Sequence, residues 1–206
     1  MNLNLITKYF TPTHILDIGV HQAQFYQLAR YYFPRASFFL IEGNKSCEEL
    51  IKKLNVPYLI RVLGKEKKEG IFYKTKENST SSGESLYREI TPSFNDDRVI
   101  KEKVKIYTID TTFKEANFDL IKIDTQGSEI DILKGGYNIA KNAKGILLET
   151  SVVEFNKGAP LHDEVVSFMD QYGFVEKECL DEKNIITDFN LHIHQKDVLF
   201  INKNLI

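Results

Sequence analysis

Apolar positions along the chain cluster into short, near-continuous runs. These are "HILDIG" (14–19), "SFFLIEG" (37–43), "PYLIRVLG" (57–64), "VKIYTID" (104–110), "FDLIKID" (118–124), "GILLET" (145–150), "GFVEKECL" (173–180) and "DVLFINK" (197–203). Several are rich in β-branched residues, the pattern of strands buried on both faces of a parallel sheet. Between them the period changes to that of helices. Phe25, Leu28, Ala29 and Tyr32 share a face within 22–33, and Ser46 with Glu49 has the capping-box spacing ahead of Leu50, Ile51 and Leu54. Ser128 stands where it would cap a short helix stopped at Gly135–Gly136, and Leu161, Val165, Met169 and Tyr172 form a stripe that ends at Gly173. Alternating strands and helices predict a doubly wound α/β domain. The stretch from about 65 to 110 breaks the alternation and reads as a β-rich insertion after the third strand, tipped by the polar loop "NSTSSG".

Length and charge narrow the class. A chain of 206 residues with 42% hydrophobic and 27% charged residues reads as one globular domain over 1–206. A net charge of -2 argues against nucleic acid or an anionic membrane as partner. Cys47 and Cys179 lie far apart and in no CxxC arrangement, so neither structural zinc nor a disulfide framework is expected. No run is long enough to span a membrane and the start lacks the pattern of a signal peptide, so the cytoplasm is the expected compartment.

Candidate chemistry sits where the runs end. Asp17, Glu42, Asp110, Asp124 and Glu149 each close an apolar run. In an open α/β sheet the ligand lies beyond the carboxyl ends of the strands. An acidic edge suits a pyrophosphate poorly, and the turn after "ILDIG" has only Gly19 where a dinucleotide site would carry GxGxxG. S-adenosylmethionine (SAM) fits better: it has no phosphate, its sulfonium and ammonium want acidic partners, and its ribose diol wants an acceptor where Glu42 stands. An acidic residue there would equally suit the ribose of NAD.

The blocks "ILDIGVHQAQF", "FFLIEGN", "VKIYTID", "LIKIDTQGSEIDILKGG", "ILLETSVVEF" and "DVLFINK" resemble, in order and spacing, those of FkbM-type SAM-dependent methyltransferases, from about Ile15 to Lys203. The resemblance implies a Rossmann-like class I methyltransferase fold, a seven-stranded, mostly parallel sheet whose last strand is antiparallel. It also implies SAM as cofactor and methyl transfer to a hydroxyl of a sugar, glycan or natural-product acceptor. The family usually reads D-x-G-A-N-x-G at the first turn; here the turn carries Asp17, Gly19, Val20, His21, Gln22 and Ala23. Ala23 is expected in a helical conformation that tolerates alanine, and His21 as a neutral imidazole near the amino-acid end of the cofactor. The alternative is a catalytically silent SAM-fold binding module, with His21 and Ala23 marking the loss.

The expected cofactor residues are Asp17 (ammonium and turn order), Gly19 (close backbone approach), His21, Glu42 (ribose), Gly43 and Asn44 (adenine edge) and Asp124 (reacting end). Asp124, Glu149 and His162 compete to be the base that takes the acceptor's proton. Glu129 is expected to order the "TQGSE" turn and His14 to be structural. A divalent cation on Asp124 and Glu149 is conceivable, but no tight ligand motif accompanies them and no metal is expected. Ser79 to Ser85 are expected to belong to a lid over the acceptor.

Overall fold

The computed structural model describes residues 1–76, 83–91, 94–186 and 192–205. In chain order its strands are β1 (His14–Ile18), β2 (Ser37–Glu42), β3 (Tyr58–Ile60), β4 (Val62–Leu63), β5 (Lys68–Thr75), β6 (Val99–Tyr107), β7 (Leu120–Ile123), β8 (Gly145–Ser151), β9 (Phe174–Ile186) and β10 (His192–Asn202). Seven of them form one sheet in the order β3-β2-β1-β7-β8-β10-β9. The pairs from β3 across to β8 are parallel, and β10 runs antiparallel to both β8 and β9. The last strand is thus the antiparallel one, as expected. The remaining three make the small sheet β4-β6-β5, which is the expected β-rich insertion.

Period-2 alternation divides the core into two layers. Ile15, Leu40, Leu120, Leu147 and Leu199 face Phe25 and Ala29 of α1 (Gln24–Tyr32) and Ile51 of α2 (Glu48–Lys52). Their neighbours Leu16, Ile41, Ile121, Ile146, Leu148 and Phe200 face the other way. There they meet Ile109 of α3 (Ile109–Thr112), Ile132 and Leu133 of α4 (Glu129–Lys134), Ile139 of α5 (Tyr137–Ala140) and Met169 of α6 (His162–Tyr172). Each such side chain, fully buried, contributes about 1.5–3 kcal/mol of apolar transfer. Helix α6 stops at Gly173, whose φ of 96° takes the left-handed conformation that closes a helix. No helix among the described residues is long and apolar enough to cross a membrane.

Four local expectations are corrected. "PYLIRVLG" is two strands rather than one. The chain bends at Arg61, whose N–H donates to the Glu42 carbonyl at 2.7 Å while its guanidinium lies 4.3 Å from the centre of the Tyr107 ring. The run "VKIYTID" ends as a strand at Tyr107, because Thr108 caps α3 by accepting the Thr111 N–H at 3.1 Å. Asp110 therefore lies on α3, outside the acidic edge, and its carboxylate accepts the N–H groups of Asn138 and Ile139 at the start of α5. The Ser46–Glu49 capping box does not form; the chain leaves β2 through a 3-10 turn, and Asn44 accepts the Ser46 N–H at 2.9 Å. Ser128 occupies the cap position of α4 without a capping bond.

Candidate functional site

The β1–α1 turn is where the backbone departs most from ordinary conformations. Gly19 has φ 83°, and a Cβ there would lie 1.8 Å from the Asp124 carbonyl oxygen. Only glycine lets β1 and β7 close on each other at this point, with the Asp124 N–H donating to the Ile18 carbonyl at 3.0 Å. His21 and Ala23 follow with φ 48° and 63°. The expectation that Ala23 is helical is thus corrected. It precedes α1 in the left-handed region, which costs an L-residue about 1–2 kcal/mol, partly offset by about 0.8 kcal/mol from burying its methyl.

Glu42 ends β2 and holds this turn. Its Oε2 accepts the His21 N–H and its Oε1 the Asn44 N–H, each at 2.7 Å. The Glu129 carboxylate organises the turn after β7 in the same way, as expected for the "TQGSE" segment. It accepts the Thr125 N–H at 2.8 Å, the Thr125 hydroxyl at 3.1 Å and the Gly127 N–H at 3.2 Å. Burial pushes the Glu129 carboxyl up to about 7.

A cavity of about 630 Å³ opens over the carboxyl ends of the parallel strands. That volume is in the range of small-molecule sites. One side is made by Gly19, His21, Glu42, Gly43 and Asn44, and apolar surface comes from Val62, Leu63, Phe72 and Leu86. The other side carries Asp124, Gln126, Glu149, Lys183, Gln195 and Asp197. The Gln126 amide ties this side together, donating to Asp124 at 3.2 Å and to Glu149 at 2.5 Å.

Charge on this edge is dense, with Asp17, Lys122, Glu149 and Asp197 buried and Asp124 and Lys183 partly exposed. Lys122, the register neighbour of Asp17, donates to the Gly19 carbonyl at 3.1 Å and lies 3.3 Å from Asp124 and 3.6 Å from Asp17. Lys183 on β9 donates to Glu149 at 2.8 Å and lies 3.5 Å from Asp197. Burial pushes the carboxyls of Asp17 and Asp197 up to about 6 each, against the pull of Lys122 and Lys183. Burial also works to raise Asp124, but Lys122 and Lys183 outweigh it and hold that carboxyl below its ordinary value. Glu149 goes the other way: burial, then the charge of Asp124, raises it well above the ordinary value despite Lys183. Asp124, Glu149 and Asp197 present ligand atoms within 4.8 Å of one another, a set of three oxygens that could take a hard cation.

Of the residues expected from sequence, Gly19, His21, Glu42, Gly43, Asn44, Asp124 and Glu149 line this one cavity. Asp17 is fully buried and is not among the lining residues. His162 opens α6, where its Nδ1 is 3.0 Å from the Thr150 hydroxyl and its Nε2 3.8 Å from Glu176; it does not line the cavity either. His14 begins β1 and is exposed, its Nδ1 2.9 Å from the Thr13 hydroxyl. Of the expected lid, 79–82 lie outside the described residues. Ser85 is anchored, its single hydroxyl proton shared between the carbonyls of Thr125 and Gln126, which lie at 2.8 and 2.9 Å. Sequence reasoning missed Lys122, Lys183, Gln126 and Asp197. The available signal was polar residues interrupting apolar runs, as Lys122 does in "LIKID".

A sheet in this order, a glycine-pinned turn after β1, an acidic end to β2 and a cavity across the carboxyl edge together define a class I SAM-dependent methyltransferase. The model of the methyltransferase FkbM domain matches residues 17–176, and the chain belongs to that family. Among solved structures, the N-terminal domain of EvdMO1, determined in the presence of S-adenosylhomocysteine (SAH) and D-fucose, superposes with a TM-score of 0.50. The identity is 14%, over 97% of this chain and 80% of that one. TrmK of M. capricolum in complex with SAH gives 0.49 at 14% identity, covering 98% and 67%. The precorrin-6y C5,15-methyltransferase of Geobacter metallireducens gives 0.46 at 14% identity, covering 92% and 80%. No curated protein matches the chain. The cofactor is SAM, and the wall formed by Gly19, Glu42, Gly43 and Asn44 fits it, offering a bare backbone turn beside a carboxylate acceptor and no phosphate-binding glycine loop.

Proposed function

We propose that the enzyme methylates a hydroxyl oxygen of a small-molecule acceptor, a sugar, glycan or natural product, with Glu149 receiving the acceptor's proton. The observation that carries this reading is the Glu149 carboxylate on the cavity wall, its Oε1 held by Lys183 at 2.8 Å and its Oε2 by the Gln126 amide at 2.5 Å, with Asp124 on the same wall. Burial raises the proton affinity of Glu149, which suits a group that must take a proton. When bound, SAM supplies an electrophilic methyl group on a sulfonium.

Glu42 holds the ribose hydroxyls with the lone pairs left over from the His21 and Asn44 N–H groups. Gly43 and Asn44 line the adenine edge, and Asp124 faces the cationic end of the cofactor. Asp17, behind Lys122, sets the charge of that lysine rather than touching the ligand. His162 supports Thr150 from outside the cavity. The retained link from the His21 N–H to Glu42 supports a working turn over a silent binding module. The D-fucose in the EvdMO1 structure is a hydroxyl-bearing sugar, but that likeness extends to the fold; the acceptor class rests on the Glu149 environment.

The test is a screen of alcohol-, amine- and thiol-bearing acceptors with SAM labelled in its methyl group. Label is expected on oxygen, and Glu149→Gln should lower kcat by ~10²–10⁴-fold, the usual contribution of a general base. Label found on nitrogen or carbon alone would overturn the reading.

A further inference from the structure

Two lysines serve the acidic edge, and they differ in exposure. An ammonium has three donors. Lys122 donates to the Gly19 carbonyl at 3.1 Å and is enclosed by ion pairs to Asp124 at 3.3 Å and Asp17 at 3.6 Å, and its side chain is 4% exposed. Lys183 has one short bond, to Glu149 at 2.8 Å, and a longer ion pair, to Asp197 at 3.5 Å. Its side chain is 40% exposed and lines the cavity. At least one Lys183 N–H is therefore left for a ligand. The two carboxylates it contacts belong to the Asp124–Glu149–Asp197 trio, whose ligand atoms lie within 4.8 Å of one another. Three carboxylates at such spacing repel one another; Lys122 answers Asp124, and Lys183 answers the other two.

We propose that Lys183 is the built-in cation of the acceptor side: its ammonium balances the carboxylate trio in the role a divalent ion would otherwise fill, and its remaining N–H receives the acceptor oxygen. The proposal rests on the hydroxyl-acceptor reading given above. As the acceptor O–H bond breaks, the proton forms a new O–H bond on the Glu149 carboxylate. The electron pair left on the acceptor oxygen is held by the Lys183 N–H. Ion pairs with Glu149 and Asp197 hold Lys183 as an ammonium, so it is a donor and not the base. On β10, Asp197 is in register with Glu149 of β8, and Gln195, two residues earlier, with Lys183 of β9, so the Lys183 side chain reaches along the sheet to both carboxylates.

The experiment titrates Mn²⁺ alone into the full-length wild type and into Lys183→Met by calorimetry, with SAH binding as the check that the site is folded. The wild type should bind Mn²⁺ at least about tenfold more weakly than Lys183→Met, whose vacated trio offers three oxygens to a hard ion. Adding Glu149→Gln to Lys183→Met should abolish that gain, and SAH affinity should stay within about threefold throughout. With the acceptor from the screen, wild-type turnover should be indifferent to EDTA, while Lys183→Met loses about 10²-fold in kcat, as for removal of one donor to a developing oxyanion. If Lys183→Met does not fold, Lys183→Gln takes its place in every arm. Equal Mn²⁺ affinity in wild type and variant, wild-type turnover that EDTA abolishes and Mn²⁺ restores, or an unchanged kcat in the variant would each overturn the proposal. If the screen shows no methylated hydroxyl, the acceptor reading fails while the Mn²⁺ titration still decides whether Lys183 is the cation of the trio.

Discussion

Replacing Glu42 with glutamine isolates the double duty that the structure gives this side chain. Its two oxygens each accept a different backbone N–H, His21 on one and Asn44 on the other, both at 2.7 Å. Glutamine keeps one acceptor and turns the other into a donor, so one N–H must face an N–H. Losing one hydrogen bond to a charged group costs about 1.5–3 kcal/mol. The surviving bond falls from charge-assisted to neutral, about half its strength, bringing the expected loss of stability to roughly 2–4 kcal/mol. For a chain of this size that lowers Tm by roughly 5–15 °C. SAH should bind more weakly by a further ~1–3 kcal/mol, through the weaker acceptor offered to the ribose. Thermal unfolding without ligand gives the first quantity. Calorimetry with SAH, at a temperature where both proteins are folded, gives the second. A variant with wild-type Tm and wild-type SAH affinity would refute the reasoning. A fall in Tm with unchanged affinity would reduce Glu42 to a residue that holds the turn.

Two further outcomes follow from buried groups. Gly19→Ala must place a methyl 1.8 Å from the Asp124 carbonyl at a φ of 83°, so it should destabilise the protein by at least ~3 kcal/mol and abolish SAH binding, as read by urea unfolding and calorimetry. Glu129 has a folded pKa of about 7 against an ordinary 4.5. The folded state therefore holds the extra proton, and wild-type stability is lost as pH rises from the unfolded value through about 7. Glu129→Gln lacks that titration, so its stability relative to wild type should rise by about 3 kcal/mol between pH 4 and pH 8. An identical stability difference at both pH values, measured by urea unfolding, would contradict the burial assigned to this carboxyl.

What could be read in the sequence follows the direction of the strands. In a parallel strand the residue that closes an apolar run stands at the ligand edge, so Glu42, Asp124 and Glu149 were legible from position alone. Asp110 misled because its run leaves the large sheet: Tyr107 pairs with Leu63 in the small sheet, and Thr108 then starts a helix. Asp197 opens its run instead of closing it. On an antiparallel strand the early residues reach the edge where parallel strands end, and Asp197 pairs with Glu149 there. Lys183 lies beyond Leu180, where the apolar pattern of "GFVEKECL" stops. The strand continues through it because β10 supplies backbone partners that no side-chain period records. Lys122 interrupts an apolar run, a buried cation that makes sense only beside Asp17 on the neighbouring strand. The conformation of Ala23 was hidden for a different reason. A left-handed residue is recognised in a sequence by glycine or asparagine, and here alanine is held in that conformation by the burial of its methyl and by the Glu42–His21 link two residues earlier. The half of the cavity made by parallel strands was therefore open to sequence reasoning. The half that carries Lys183 and Asp197 required the topology, and the proposed acceptor chemistry is concentrated there.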